Sequence, residues 1–121
     1  MHHAAKAYGT VAQQTASPRD LEAQLLLRAA SRLQMIHDDW EGQRGALDHA
    51  LLFNRKLWTV FLTSVTNNDN PLPAELRQNI ANIGIFVMNH TLNVSGNPAP
   101  ERLRSLININ RQLAAGLSGR A

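Results

Sequence analysis

The stretch TNNDNPLPAELRQNIANIGIFVMNHT, Thr66 to Thr91, contains the signals that most strongly determine how this chain folds. Four polar residues, Asn67 to Asn70, precede two prolines, and Asn then recurs among Ile, Val and Phe. Asn and Asp side chains compete with the backbone for hydrogen bonds, and Pro73 disfavours a helical conformation at the residue before it. The pattern therefore predicts that one helix ends near Thr66 and that a long helix begins at Pro73.

Similar signals divide the rest of the chain into helices. Ser17 can cap a helix that starts at Pro18, and Gly96 can close a helix in the left-handed conformation. The segment Glu41 to Gly45 permits a turn or a kink. The predicted helices are approximately 3–14, 18–39, 46–66 and 73–96, with a fifth that begins within 97–102. No segment alternates with a two-residue period, so the sequence predicts no strands.

Each long segment carries apolar residues at three- and four-residue steps, the period of one helix face. In the second helix this stripe comprises Leu21, Leu25, Ala29, Leu33, Ile36 and Trp40. In the third it comprises Leu47, Leu51, Trp58, Phe61, Leu62 and Val65. In the fifth it comprises Leu103, Leu106, Ile107, Leu113, Ala114 and Leu117. The sequence thus predicts an all-α fold, a compact bundle of about four main helices plus a short N-terminal helix.

The amino-acid composition is typical of a globular protein, and the length predicts a single domain that spans residues 1–121. Hydrophobic residues make up 44% and charged residues 17%, and there is no cysteine. Neither a signal peptide nor a membrane-spanning segment is recognisable, so we expect a cytoplasmic protein. The net charge is +3. The excess of positive charge lies after residue 96, where there are four arginines and Glu101 is the single acidic residue. This basic segment is too sparse to favour direct binding of nucleic acid.

Candidate catalytic and metal sites are weak throughout the chain. His37 and Glu41 are four residues apart, but no third ligand is apparent, and His49 and His90 are isolated. The Asn67–Asn70 run lacks the spaced acidic ligands and the glycine of a calcium loop. No phosphate-binding loop or nucleophile motif is present. We therefore expect no enzymatic activity, no metal and no cofactor.

The fourth predicted helix has an unusual polar face. No charged residue occurs between Arg77 and Glu101. Projection at 100° per residue gathers amide side chains on one side with Phe86 at their centre. This side holds Gln78, Asn79, Asn82, Asn89, His90 and Asn93 around Phe86, and from it we single out Asn79, Asn82, Phe86, Asn89 and Asn93. Either this is a central helix whose amides bond to neighbouring helices or water, or it is a surface for a partner, since interface cores are poor in charge and favour an aromatic anchor.

Three long strings resemble the FlaF family of flagellar biosynthesis regulators. They are AYGTVAQQTASPRDLEAQLL (7–26), LLFNRKLWTVFLTSVTNNDNPLPAELRQNIANIGIFVMNHT (51–91) and SLININRQLAAGL (105–117). The resemblance implies a non-enzymatic protein that supports flagellin production and export, alongside the regulator FlbT, which works on flagellin messenger RNA. It implies no catalytic residues. Flagellin is the client that the resemblance suggests.

Three functional hypotheses remain open at this point. The bundle binds flagellin before secretion, through the fourth helix or through the N-terminal segment around Tyr8 and Val11, which could cover a groove. Alternatively, the chain acts on flagellin mRNA directly, through Arg102, Arg104 and Arg111. A third possibility is an adaptor that only binds FlbT.

Overall fold

Helix α1 (Pro18–Asp38) begins at the cap that the sequence predicts. In the computed structural model, which describes residues 17–119, Ser17 has an extended backbone and its Oγ accepts from the Asp20 amide at 3.1 Å. Pro18 occupies the first helical turn, where it sacrifices no hydrogen bond. The predicted helix at 3–14 lies outside the described residues.

The remaining helices also lie close to their predicted positions. They are α3 (Leu47–Val65), α4 (Ala74–Gly96) and α5 (Arg104–Leu117), whereas a short helix that the sequence did not predict, α2 (Trp40–Gln43), occupies the segment where a turn or a kink was expected. Two 3₁₀ turns, Arg44–Ala46 and Pro100–Leu103, precede α3 and α5. Between residues 17 and 119 there is no strand, and the predicted all-α fold is confirmed.

The loop between α3 and α4 is held by its own asparagines. The Asn70 side chain donates to the Ser64 carbonyl at 3.2 Å and to Ser64 Oγ at 2.9 Å, and it accepts from the Leu72 amide at 2.9 Å. The Asn67 side chain accepts from the Asp69 amide at 2.9 Å. These side chains satisfy one carbonyl at the end of α3 and two amides of the loop itself. The polar run therefore serves as a turn.

The four long helices are packed in a defined order. Helix α1 packs most extensively on α5 and also on α3, while α3 packs on α4. Helix α4 therefore lies at one edge of the bundle, with α3 as its principal neighbour. The core contains side chains from every long helix, among them Leu26, Leu33, Trp58, Val87 and Leu106.

Two details of the predicted helices are wrong. Leu21 and Leu25 are 39% and 38% exposed, and α1 buries Ala23, Leu26 and Ala30 instead. Small alanine side chains allow a neighbouring helix to approach closely, which a pattern of leucines does not reveal. The second detail is Gly96, which was predicted to close the helix in the left-handed conformation. Gly96 is instead the last helical residue and has no positive φ. Among the described residues, only Gly119 has a positive φ.

Candidate partner-binding surface

Helix α4 presents a narrow buried side to the bundle. Its buried residues are Ile80, Gly84, Val87, Thr91 and Val94. Thr91 is accommodated because its hydroxyl donates to the Val87 carbonyl at 2.7 Å. A Cβ atom on Gly84 would come within 2.5 Å of Leu62 Cδ2, so this glycine lets α3 and α4 approach closely. Because α4 has one principal neighbour, α3, most of the circumference of α4 is exposed to solvent.

The open side of α4 is the polar side that the sequence singles out. All four asparagines are exposed, and Phe86 is 47% exposed. We call Asn79, Asn82, Phe86, Asn89 and Asn93 together the amide face. The interpretation of α4 as a central helix is therefore wrong, because α4 lies at the edge of the bundle. The amides do not bond to neighbouring helices but are exposed, so that they are accessible both to water and to a partner.

Apolar side chains border the amide face on both sides. Leu76 and Ile83, on one side, are 43% and 38% exposed, and Ile85 and Leu92, on the other, are 56% and 65% exposed. A helix that is apolar around most of its circumference is normally buried. Five large apolar side chains, with Phe86 among them, are thus exposed along one helix, and a concentration of exposed apolar residues is typical of interaction sites. The outward side of α4 is the strongest candidate for a partner surface in residues 17–119.

Phe86 is held in place by a contact that the sequence analysis missed. Its ring stacks on the His90 ring, with centroids 5.3 Å apart and planes 9° from parallel. His90 Nε2 donates to the Arg102 carbonyl at 2.7 Å, so the ring is tied to the turn before α5. The carbonyl can only accept, which places a proton on Nε2. The i, i+4 spacing of Phe86 and His90 was the available signal.

A concavity, separate from the amide face, lies where α1 begins. It has a volume of about 390 Å³ and is lined mainly by apolar side chains of the other long helices and the α3–α4 loop. These are Phe61, Val65, Leu72, Ile80, Leu113 and Leu117. Glu22 also lines it, and burial raises the pKa of this carboxyl above 4.5, opposed by Arg19. Tyr8 and Val11 lie outside the described residues.

The other candidate groups have local roles. His37 Nδ1 lies 3.0 Å from Asp38 Oδ1, and His37 Nε2 accepts from Arg104 Nε at 3.4 Å. Across residues 17–119 no three His, Asp or Glu side chains gather where they could hold a metal ion. No helix in this range is both long enough and apolar enough to cross a membrane.

Three buried polar groups form a network that the sequence analysis also missed. Trp58 Nε1 donates to Asn110 Oδ1 at 2.9 Å, and Asn110 Nδ2 donates to Asn54 Oδ1 at 2.7 Å. Both asparagines are fully buried. Each interrupts an apolar stripe at a position where the helical period calls for a core residue, and this was the available signal.

Comparison with known proteins identifies one family. A family model described as flagellar protein FlaF matches residues 4–117 of the chain. No curated protein and no solved structure is significantly similar to it. The match extends over nearly the whole chain, including the amide face and the core network.

Proposed function

The chain belongs to the FlaF family of flagellar proteins, and from this premise we propose that it binds flagellin in the cytoplasm and supports its production and secretion, like a chaperone and without catalysis. The outward side of α4 supports this proposal most directly. It presents an aromatic side chain among amides, bordered by exposed aliphatic residues and free of charge between Arg77 and Glu101.

The length of this side suits a helical segment of a client. Asn79 and Asn93 are fourteen positions apart. At a rise of about 1.5 Å per residue, the amide face is therefore about 21 Å long. Ordering a client segment of about 20 residues costs on the order of 30 kcal/mol, at about 1.5 kcal/mol per residue. Backbone hydrogen bonds within the client helix and several buried apolar anchors must offset this cost. A long face offers such anchors, whereas a small patch does not.

Phe86 is suited to be the central anchor of this contact. Aromatic residues dominate binding energy where they are already held in their bound conformation and are surrounded by groups that exclude water. The stack on His90 holds the Phe86 ring before any partner arrives. Asn82, which accepts from Gln78 at 3.0 Å, is likewise positioned on the surface.

The test is calorimetric titration of purified flagellin with the full chain and with the double variant Phe86→Ala, Asn82→Ala. We expect the affinity to fall by about 10- to 100-fold, as loss of a hot spot implies. Val60→Ala is the matched control, because Val60 is 66% exposed on α3 and lies outside the amide face. Equal affinity for the double variant and the wild type would rule out the α4 site.

The N-terminal segment is the second proposed contact, through Tyr8 and Val11. Its test is the variant Tyr8→Ala, Val11→Ala in the same titration, with the wild-type chain for comparison.

Co-purification from flagellated cells then distinguishes the client from the alternative partner. Recovery of FlbT without flagellin would favour the alternative, in which the protein acts on flagellin mRNA through that regulator.

A further inference from the structure

The concavity at the start of α1 is an apolar groove whose walls are incompletely covered. Its volume is about 390 Å³, within the range of sites that enclose ligands. Leu72, Leu113 and Leu117 line it and are only half-buried. Covering such side chains removes apolar surface from water, which is favourable. We call this concavity the α1 groove, with apolar walls formed by Phe61, Val65, Leu72, Ile80, Leu113 and Leu117.

The preceding part of the chain joins α1 at the edge of the α1 groove. Ser17 and Pro18 line the groove, and residues 1–16 come directly before them. Val11 lies six positions before Ser17, and Tyr8 lies nine. Tyr8 is therefore within about 30 Å of Ser17 even in an extended chain, and within about 14 Å in a helical one. The FlaF family model starts at residue 4, so it covers this segment together with the bundle.

So short a tether favours a contact within the chain over a contact between molecules. A segment joined to its site by a few residues has an effective concentration in the millimolar range. Weak docking is therefore populated at any protein concentration, whereas a separate partner has to exceed that concentration or bind more tightly. Among the occupants that the α1 groove could accept, the preceding segment is the one that the chain itself delivers.

The chemistry of this segment matches that of the groove. Residues 7–16 include no charged residue, and their bulky apolar groups are Tyr8 and Val11. Glu22 is half-buried in the groove wall, and no hydrogen bond from residues 17–119 contributes to the pKa of its carboxyl. A buried tyrosine needs a partner for its hydroxyl, and a carboxylate is an acceptor. A tyrosine thus suits both the apolar walls and the one acidic group among them.

We propose that the segment before Ser17 docks into the α1 groove of its own chain, with Tyr8 and Val11 against the apolar walls and the Tyr8 hydroxyl donating to Glu22. Docking covers the two side chains that the proposed function assigns to flagellin. The segment must therefore leave the groove before it contacts the client. This consequence rests on the proposed function, whereas the docking itself does not.

Disulfide trapping in the full chain tests the docking, since the natural chain has no cysteine. Val11→Cys is combined either with Ser64→Cys, in the groove, or with Thr63→Cys, exposed beside it on α3. A segment that moves freely about Ser17 reaches both neighbours, and the exposed thiol is the more accessible one. We expect the groove pair to form its disulfide about tenfold faster or more, because docking raises the local thiol concentration. Equal rates, or a faster control pair, overturn the proposal.

A second measurement needs no cysteine variant. Tyr8 is the single tyrosine of the chain, so 3-fluorotyrosine gives one ¹⁹F resonance that reports its surroundings. We expect this resonance to differ between native buffer and urea, and to shift on Glu22→Ala but not on Glu41→Ala, at an exposed site. Circular dichroism of every variant ensures that folded chains are compared. A native resonance at the urea position, or one indifferent to Glu22→Ala, contradicts docking of Tyr8 beside Glu22.

The trapped chain also separates the docking from the proposed function. Flagellin is titrated with the Val11→Cys, Ser64→Cys protein in its oxidised and reduced forms. Weaker binding by the oxidised form is expected if the segment has to leave the groove. Equal binding by both forms contradicts the N-terminal contact with flagellin alone, because the disulfide rates decide the docking without any client.

Discussion

At the scale of single residues, the most constrained site is the buried amide of Asn110. It accepts from Trp58 and donates to Asn54, and its Nδ2 also lies 3.4 Å from the Leu26 carbonyl. These contacts join α5 to α3 and α1. Trp58 Nε1 can only donate, which determines the orientation of the Asn110 amide and hence that of Asn54. The network therefore favours one relative placement of three helices.

Replacement of Asn110 should destabilise the fold strongly. Asn110→Leu leaves the Trp58 N–H and the Asn54 carboxamide oxygen buried without partners, at about 1 to 3 kcal/mol each. We expect a loss of about 2 to 6 kcal/mol in the free energy of unfolding, measured by urea denaturation. Asn108→Leu, at an exposed site of the same helix, should change stability by less than about 0.5 kcal/mol. Similar losses for both variants would contradict an essential role of the network.

Glu22 should make the stability of the fold depend on pH. Burial raises the pKa of this carboxyl above 4.5, with Arg19 acting in the opposite direction. The folded chain then binds a proton more readily than the unfolded chain, so stability falls as pH rises from 4.5 through the folded pKa. The penalty is complete once the pH exceeds the folded pKa and disappears below the ordinary pKa of a glutamate.

Glu22→Gln removes this penalty and should raise the melting temperature at pH 7 but not at pH 4. Melting curves at the two pH values measure the effect, and Glu41→Gln, at an exposed site, controls for the change in net charge. If Glu22→Gln raised stability equally at both pH values, desolvation of the carboxylate would not be the cause.

At the scale of elements, the contact between α3 and α4 depends on Gly84. A Cβ at this position would lie 2.5 Å from Leu62 Cδ2 and 2.9 Å from Leu62 Cγ. Leu62 would have to shift, and with it the contact that holds α4 at the edge of the bundle. The glycine weakens α4 as a helix but allows it to dock.

The two helical glycines of α4 should therefore respond differently to alanine. Gly84→Ala should lower the free energy of unfolding by about 1 to 2 kcal/mol, because overpacking outweighs the gain in helix propensity. Gly96→Ala, where no atom lies within 4 Å of the added Cβ, should leave stability unchanged or raise it by up to about 1 kcal/mol. Denaturant unfolding of both variants measures the difference. Stabilisation by both would show that Leu62 moves at little cost.

At the scale of the whole molecule, charge is distributed in a way that disfavours RNA recognition. Arg104 lies against His37, and hydrogen bonds from His37 and Gln34, with a smaller contribution from Arg111, lower the pKa of Asp38. Two of the three arginines considered for RNA binding thus lie near an ionised carboxylate at the end of α1. The positive charge of the basic segment is therefore accompanied by the negative charge of Asp38 on this side of the molecule.

We therefore expect weak, unspecific association with RNA. The full chain should bind a flagellin leader RNA no more tightly than an unrelated RNA of equal length. Arg104→Ala combined with Arg111→Ala should change either affinity only slightly. Electrophoretic mobility shifts at several salt concentrations measure this. Leader-specific binding that weakens steeply with salt would instead favour direct action on the message.

The sequence by itself determined the long helices, their approximate ends and the absence of charge on α4 after Arg77. These properties depend on neighbours within a few positions: Ser17 caps its own helix, and the Asn67–Asn70 run closes the turn beside it. Only the tertiary structure decided that α4 lies at the edge with its amides outward, that Asn110 meets Trp58, and that His90 supports Phe86. Which side of a helix is buried depends on neighbours distant in sequence, and helical periodicity describes a face without indicating what packs against it.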